Sequence, residues 1–231
     1  WLVPLFIKRH KIDMEGFEKK YRSFNSFFTR KRCLEEIDIT PEHLISPCDG
    51  YLSIYPVSGE QSYHIKHVEY RLEELLKSRK LAKRFAGGTC LIFRLTPQDY
   101  HRYCYVSDGV VRHSRAIPGK LHCVRPIACG AFPVYAENSR EYTELKTQRF
   151  GTVIQMEIGA MLVGKICNYP RDGQVFQGEE KGYFEFGGST ILLLLEEGRL
   201  ELSEEMAGYI GTGVETRIRL GELVGVCPGR D

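Results

Sequence analysis

Three short segments carry side chains that could take part in chemistry. Ser189 follows two glycines and precedes the apolar run 191–195, so a buried strand would fix the direction of its hydroxyl. His101 follows an apolar strand and a Pro turn, and a His side chain exchanges protons near neutral pH. Asp49 supplies a carboxylate within an Asp-Gly pair. Each segment alone also has an ordinary structural explanation, as a glycine turn, a packed His or an Asp-Gly turn.

Taken together and in this order, the segments resemble the phosphatidylserine decarboxylase family. The resemblance extends over nearly the whole chain and rests on several motifs rather than one. These motifs are SFNSFFTR (23–30), SPCDG (46–50), RLTPQDYHRY (94–103), ENSR (137–140), GAMLVG (159–164) and GYFEFGGST (182–190). A single match could arise by chance, whereas this many in the same order indicate the family.

The resemblance implies a self-processing enzyme. Ser189 Oγ would attack the carbonyl of Gly188 and cut the chain into a β chain, 1–188, and an α chain, 189–231. Ser189 would become a pyruvoyl group, which is the covalent cofactor of the family, and no metal is implied. The pyruvoyl group would form a Schiff base with phosphatidylserine and release CO2, giving phosphatidylethanolamine.

The resemblance also assigns roles to the acidic and basic residues. The serine needs a base because a protonated hydroxyl is a poor nucleophile. In the family an Asp and a His assist it, and Asp49 matches that Asp directly. His101 matches the His that delivers a proton during decarboxylation.

The sequence departs from the family pattern at position 104. The family motif has a second His three residues after the first, and here that residue is Cys104. A thiol is no simple substitute, because its ordinary pKa is about 8.5 and its thiolate is itself a nucleophile. Three replacements stay open: His101 serves both steps, Cys104 acts as the base, or another His does. His122, predicted in a strand-like segment, is preferred to His113, which lies near a predicted turn.

Two other functions compete with this interpretation. Cys104 is compatible with an unprocessed, catalytically silent relative that binds a lipid or a protein partner. A pyruvoyl decarboxylase acting on a soluble amino acid would need no lipid, and it would give the basic N-terminal segment no role.

The pattern of apolar runs and turns predicts an α+β fold. We expect one β-rich domain of short antiparallel or mixed strands, with a small helical insertion at 68–85 and a helical arm at the N-terminus. The predicted boundary separates the arm, 1–32, from the catalytic domain, 33–231.

The N-terminal arm combines Lys and Arg with aromatic residues. Asp13 is a plausible helix N-cap. The aromatic residues that would then share one helical face are Phe17, Tyr21, Phe24 and Phe28. Such a helix suits an anionic membrane surface, and the alternative is a helix packed on its own domain with a solvated basic face.

The lipid substrate predicts a peripheral protein on the cytoplasmic face of the cell membrane. Its α and β chains would associate with each other, and a homodimer is compatible with this prediction.

Composition excludes several classes of protein. Of 231 residues, 42% are apolar and 27% charged, which is typical of a globular protein rather than a disordered or fibrous one. The net charge of +2 does not indicate a nucleic-acid binder. The eight cysteines form no CxxC pair, which argues against zinc ribbons and favours reduced thiols. No apolar run is long enough to span a bilayer, and the start at Trp1 is compatible with an upstream signal or anchor.

Overall fold

The computed structural model describes residues 2–18, 20–32, 37–161, 165–186 and 189–229. The strands are β1 His43–Ile45, β2 Gly50–Pro56, β3 Ser62–Ile65, β4 Val68–Arg71, β5 Thr89–Leu95, β6 Arg102–Cys104, β7 Gly109–Ile117, β8 Arg140–Thr147, β9 Thr152–Gly159, β10 Ile166–Asn168, β11 Gly173–Val175, β12 Glu180–Phe184, β13 Ser189–Leu195, β14 Glu201–Leu202, β15 Thr216–Ile218 and β16 Leu223–Val226. The helices are α1 Leu2–His10, α2 Phe24–Phe28, α3 Leu72–Leu76, α4 Arg79–Ala82, α5 Pro126–Cys129, α6 Val134–Glu137 and α7 Glu204–Ala207. The predicted β-rich α+β fold is confirmed.

The central sheet has eight strands within the described residues, in the order β11-β7-β8-β9-β13-β5-β2-β15. All neighbouring strands in it are antiparallel. β13 lies in the interior of this sheet, hydrogen-bonded to β9 on one side and to β5 on the other. All seven of its residues are buried, because both faces of the sheet are covered. The run 191–195 is therefore the core strand that its apolar composition predicts.

Alternation along β13 separates two apolar layers. Leu192 and Leu194 belong to one layer, which includes the residues of the insertion. Ile191, Leu193 and Leu195 belong to the other. Since successive side chains of a strand point to opposite faces, each residue of β13 is assigned to one layer by its position alone.

The predicted helical insertion at 68–85 is only partly helical. Residues 68–71 form strand β4, which pairs with β3 instead of continuing the helix. The rings of Tyr63 and Tyr70 stack across this hairpin with centroids 5.2 Å apart. Both side chains are buried, so burial of the aromatic pair outweighs the local helical pattern. The helical part then follows as α3, α4 and a 3-10 turn at Lys83–Phe85.

The single arm helix predicted from Asp13 is wrong. The arm instead contains α1, an irregular segment and α2, whose N-cap is Ser23. Asp13 caps a turn, because its Oδ1 accepts a hydrogen bond from the Glu15 amide at 2.9 Å. Gly16 adopts a positive φ of 75°, which interrupts the helical pattern. Among the described residues, none of the helices has the length and apolar character needed to cross a bilayer.

A buried ion pair joins the central sheet to the small sheet of β10, β12 and β6. Lys181 Nζ on β12 donates to Glu157 Oε2 on β9 at 2.6 Å. Asn168 on β10 completes the cluster by donating to the same carboxylate oxygen at 3.0 Å. Burial raises the pKa of Glu157, and the ammonium of Lys181 opposes that rise. Both charged side chains are almost fully buried, so neither can exchange its partner for water.

We predict that removing one partner of this pair destabilises the fold more than removing both. Lys181→Met should lower the free energy of unfolding by about 3–5 kcal/mol, because Glu157 keeps its desolvation cost without a counterion. The double variant Lys181→Met with Glu157→Leu should regain part of that loss. Urea unfolding in a Ser189→Ala background measures both effects. A double variant less stable than Lys181→Met would contradict this account.

Candidate active site

Ser189 is the first residue of the central strand β13. In register it stands between Leu95 at the end of β5 and Gly159 at the end of β9. The side chain is buried, and within the described residues its Oγ has no hydrogen-bond partner. A buried hydroxyl without a partner costs about 1–3 kcal/mol, and Ser189 shares this feature with other buried hydroxyls such as that of Thr190, so its candidacy as a reactive group also depends on its motif. The predicted cleavage bond joins it to Gly188, which, like Gly187, lies outside the described residues.

Strand alternation directs the Ser189 side chain toward the layer that holds the other two motifs. Ser189 shares its face of β13 with Ile191, whose layer also contains Cys48, Tyr103 and Phe184. Cys48 precedes Asp49, and Tyr103 lies two residues after His101. The fold therefore brings the three chemistry-bearing segments to one side of β13.

His101 is completely buried and has one free ring nitrogen. Its Nδ1 lies 2.8 Å from the backbone carbonyl oxygen of Asp99, which can only accept, so Nδ1 carries the hydrogen. Nε2 is consequently an acceptor, and it has no partner among the described residues. The ring of Phe28 covers the imidazole at a centroid distance of 3.8 Å. Burial lowers the pKa of His101 to about 3, so the ring is neutral at physiological pH.

The segment that leads into the predicted cleavage bond lies against His101. The Phe184 amide donates to the His101 carbonyl at 2.9 Å. Phe186 packs edge-on against Phe28, and its amide lies 3.4 Å from Asn25 Oδ1. The arm helix α2 thus holds both the imidazole and the chain just before residue 187.

Asp99 is a candidate site residue that the sequence analysis did not single out. Its Oδ2 accepts hydrogen bonds from the Thr96 amide at 2.6 Å and from the Thr96 hydroxyl at 2.7 Å. Its Oδ1 forms an ion pair with Arg217 at 2.6 Å. The buried carboxylate thereby rigidifies the turn whose carbonyl orients His101. The Thr-x-x-Asp spacing was a signal for this turn, although the same spacing occurs in many turns without function.

Asp49 lies on a neighbouring pocket. Its Oδ1 accepts a hydrogen bond from the Leu220 amide at 2.9 Å. The pocket has a volume of about 480 Å³, and charged residues around it include Arg30, Asp99, Arg217 and Arg219. None of the described hydrogen bonds joins Asp49 to His101. A Cβ at Gly50 would stand 2.7 Å from the Arg94 carbonyl oxygen, so glycine lets β2 approach β5 beside this pocket.

Cys104 is buried in a mainly apolar environment. Its Sγ lies 3.9 Å from the Ser46 carbonyl oxygen, and its amide donates to Pro47 at 3.0 Å. These contacts bring the 46–50 motif beside the 94–103 motif. Burial raises the pKa of Cys104 to about 12, so this environment favours the neutral thiol.

The two other His residues considered as bases reach the solvent, since His113 is exposed and the His122 side chain is 44% exposed. His122 lies in the loop after β7 rather than in a strand, and its Nε2 is 2.9 Å from Glu137 Oε2. His113 lies within β7, at a register shift, rather than near a turn. No described hydrogen bond connects either imidazole with Ser189 or His101.

A buried network holds the loop of His122 against the end of β9. Asn138 donates from Nδ2 to the carbonyls of Gly159 at 2.7 Å and of His122 at 3.0 Å. Arg140 donates to the Asn138 carbonyl at 2.7 Å and to the Leu75 carbonyl at 2.8 Å. Since Gly159 is the cross-strand partner of Ser189, the ENSR motif supports the strand end at which Ser189 lies.

The site offers a nucleophile and a proton acceptor and no evident metal centre. Among the described residues, no group of three or more His, Cys, Asp or Glu side chains is arranged to hold a metal ion. Two of the buried polar atoms that lack a hydrogen-bond partner in the described part of the chain, Ser189 Oγ and His101 Nε2, suit acyl transfer from a peptide carbonyl to the hydroxyl. They also fit a prosthetic group made from residue 189 itself.

Comparison with known proteins identifies the family. The model of the family described as phosphatidylserine decarboxylase matches residues 24–226. The chain is 48% identical over 227 residues to phosphatidylserine decarboxylase proenzyme 2 of Clostridium acetobutylicum, covering 96% of this chain and 77% of that protein. It is 38% identical to the phosphatidylserine decarboxylase proenzyme of Ruminiclostridium cellulolyticum, with the same coverage. The proenzyme of Clostridium novyi is also 38% identical, with 96% and 78% covered. The chain therefore belongs to the phosphatidylserine decarboxylase family, as its motifs predict.

The buried neutral state of His101 gives a test by pH. Unfolded His101 binds a proton below about pH 6.5 and folded His101 only below about pH 3, so stability falls as the pH decreases between these values. In a Ser189→Ala background, His101→Gln should reduce the slope of the free energy of unfolding against pH by about 1.4 kcal/mol per pH unit between pH 6 and 4. Chemical unfolding at several pH values measures it. His64→Gln, at an exposed position, is the control and should keep the original slope. Equal slopes for all three proteins would contradict the buried neutral imidazole.

Proposed function

We propose that this chain is a phosphatidylserine decarboxylase that first cuts itself between Gly188 and Ser189. Family membership supports the activity, since the relatives at 48% and 38% identity are named proenzymes of this decarboxylase. The observation that carries the proposal is that Ser189 Oγ and His101 Nε2 lie on one side of β13, both buried and both without a hydrogen-bond partner among the described residues. A catalytically silent relative is not favoured, because the relatives that match most of this chain are named as proenzymes of the decarboxylase.

In the proposed cleavage, Ser189 Oγ attacks the Gly188 carbonyl carbon while its proton passes to His101 Nε2. The C–N bond breaks as the C–O bond forms, and the proton returns to the leaving nitrogen, which converts the amide into an ester. Elimination of the ester then frees residue 188 as a carboxylate and leaves a dehydroalanine at position 189. Hydrolysis of the dehydroalanine releases ammonia and leaves the pyruvoyl group.

We assign the base to His101 rather than to Cys104 or His122. His101 is neutral, buried and has its acceptor nitrogen unoccupied. Cys104 keeps its proton at physiological pH because burial raises its pKa to about 12. His122 is exposed and paired with Glu137. Asp99 acts as a positioning residue in this assignment, because its carbonyl holds Nδ1–H and leaves Nε2 free.

In the decarboxylation, a pyruvoyl group would supply an electrophilic carbonyl to bind the substrate amine covalently and would then act as the electron sink for the pair left by the departing CO2. Residue 189 holds this group at the end of β13, with His101 on the same side of the sheet. Burial makes the protonated imidazole a strong acid, so a proton that reaches Nε2 is readily passed on. Phe28 covers this side of the imidazole and is itself packed against Phe186, so water is excluded from the ring face that Phe28 covers.

The proposed substrate is a lipid, which requires contact with a membrane. We propose that the protein is peripheral and binds phosphatidylserine-containing bilayers on the cytoplasmic face of the cell membrane. The apolar side chains of Leu2 and Leu5 on α1 are exposed, and α1 ends in basic residues. A decarboxylase that acts on soluble amino acids would have no membrane for these exposed apolar and basic side chains to bind.

We predict that Ser189→Ala leaves a single uncut chain of about 26.5 kDa without decarboxylase activity. Thr190→Val is the matched control, because the Thr190 hydroxyl is also buried and unpartnered but faces the other layer. The control should still be cut. Intact mass with and without a carbonyl reagent reports both the cut and the new carbonyl. A Ser189→Ala protein that still releases CO2 from phosphatidylserine would refute the proposal.

We also predict that His101→Ala slows self-cleavage by about 10²–10⁴-fold, which is the usual contribution of a general base. His122→Ala is the comparison and should be cut at the normal rate, since its imidazole faces solvent. Time courses on denaturing gels after cell-free synthesis measure both rates. Slow cleavage in His122→Ala with normal cleavage in His101→Ala would move the base to His122.

A further inference from the structure

Four large apolar side chains are exposed around one loop. They are Leu121 (44% exposed), Ile127 (77%), Phe132 (67%) and Met161 (53%). Three of them lie in the loop between β7 and β8, and Met161 follows the end of β9. Water contact with such side chains is unfavourable, so a cluster of them marks a surface that meets another apolar phase.

The loop backbone is held in place while these side chains point outward. Tyr70 donates its hydroxyl to the Cys129 carbonyl at 2.8 Å and to the Phe132 carbonyl at 2.9 Å. Met161 is joined to the loop because its amide donates to the His122 carbonyl at 3.2 Å. The exposure is therefore a property of an ordered loop with its own buried anchors.

The sheet register places this loop at the Ser189 end of the central sheet. Ile117, the last residue of β7, pairs with Arg140, which pairs with Ile158. Ile158 is next to Gly159, the partner of Ser189. A pocket of about 330 Å³ at the same end is lined by loop residues Val124 and Arg125 and by strand-end residues such as Leu95 and Ala160.

Basic side chains accompany the apolar ones. Arg125 is exposed and lines the pocket. The Lys66 side chain lies against the loop, since a Cβ on Gly130 would be 2.6 Å from its Cδ. Neither cation forms an ion pair within the described part of the chain. Lys120 adds a third charge, partly offset by Glu137 at 3.2 Å.

We propose that residues 118–133 and Met161, here called the 118–133 face, insert into an anionic phospholipid bilayer. The inference rests on the proposed lipid substrate and adds the surface through which the enzyme reaches it. Apolar side chains would enter the acyl region while Arg125 and Lys66 contact phosphate groups. On the other side of the same strand end, Phe6 of α1 packs against Phe186. The arm and the 118–133 face therefore flank the end of β13.

Tryptophan fluorescence tests insertion directly. In a Trp1→Phe background, Phe132→Trp should shift its emission to shorter wavelengths and be quenched by brominated lipids when phosphatidylglycerol vesicles are added. Phe176→Trp is the matched control, because Phe176 is exposed by 54% but follows β11 at the opposite end of the sheet. The control should show neither change. Emission from Phe132→Trp that does not change with vesicles would overturn the proposal.

Vesicle flotation tests the contribution of the face to binding. Ile127→Ser with Phe132→Ser should weaken partitioning onto phosphatidylglycerol vesicles by at least about tenfold, since two apolar side chains no longer enter the bilayer. Phe176→Ser should bind normally. Full binding by the double variant, with loss only in a Leu2→Ser, Leu5→Ser variant, would assign docking to the arm alone and refute the proposal. A change from dimer to monomer in the double variant, with vesicle binding unchanged, would also refute it by identifying a second copy as the occupant.

Activity on a soluble substrate separates this proposal from the proposed function. The double variant should still cut itself and should decarboxylate short-chain, micelle-free phosphatidylserine at the normal rate, while losing activity on vesicles. Because flotation on phosphatidylglycerol requires no decarboxylation, an inactive parent protein would refute the proposed function and leave the binding result readable. Loss of soluble activity in the double variant would contradict a role limited to docking.

Discussion

The hydrogen bond between His101 Nδ1 and the Asp99 carbonyl sets the state of the imidazole on which the proposed chemistry depends. A ring that donates from Nδ1 must accept at Nε2, so this contact selects the tautomer. The carbonyl stays in place because the Asp99 carboxylate holds the same turn through Thr96 and Arg217. Phe28 covers the ring, and the resulting desolvation keeps it neutral. A backbone contact and a covering aromatic ring together produce an unoccupied proton acceptor.

The central sheet stabilises a site that is locally unfavourable. Ser189 Oγ and His101 Nε2 have no hydrogen-bond partner within the described ranges, and a buried polar atom in that state costs about 1–3 kcal/mol. Ser189 begins a strand that is paired along its full length with β9 and β5. Under the proposed cleavage, both of those neighbours belong to the β chain while β13 belongs to the α chain. The two ladders would therefore hold residue 189 in position after its peptide bond is cut, and they explain why separate chains would stay associated.

The sequence predicted correctly those strands and turns whose structure depends on residues close to one another in the chain. The apolar run after Ser189 and the turn before Gly50 were identified because each combines composition with a recognisable boundary. Asp99 was missed because its importance comes from Arg217, more than a hundred residues away. The prediction of a single arm helix was wrong because the chain is interrupted at Gly16. The aromatic residues of the arm therefore contact different partners: Phe17 packs against Tyr100, and Phe28 packs against His101. The spacing of residues can be read from the sequence, whereas the environment of a residue can be determined only from the folded chain.

Cys104 is consistent with a site that uses one imidazole for both reactions. Its cluster contains Ile45, Tyr100 and Leu220, which offer little to an additional charged ring. A second imidazole there would be larger than the thiol and would need its own hydrogen-bond partner. The small neutral thiol instead suits this apolar cluster, in which burial raises the pKa of Cys104 to about 12. Under the proposed mechanism self-cleavage would happen once and precede turnover, so His101 would accept a proton in the first reaction and deliver one in the second without competition between the roles.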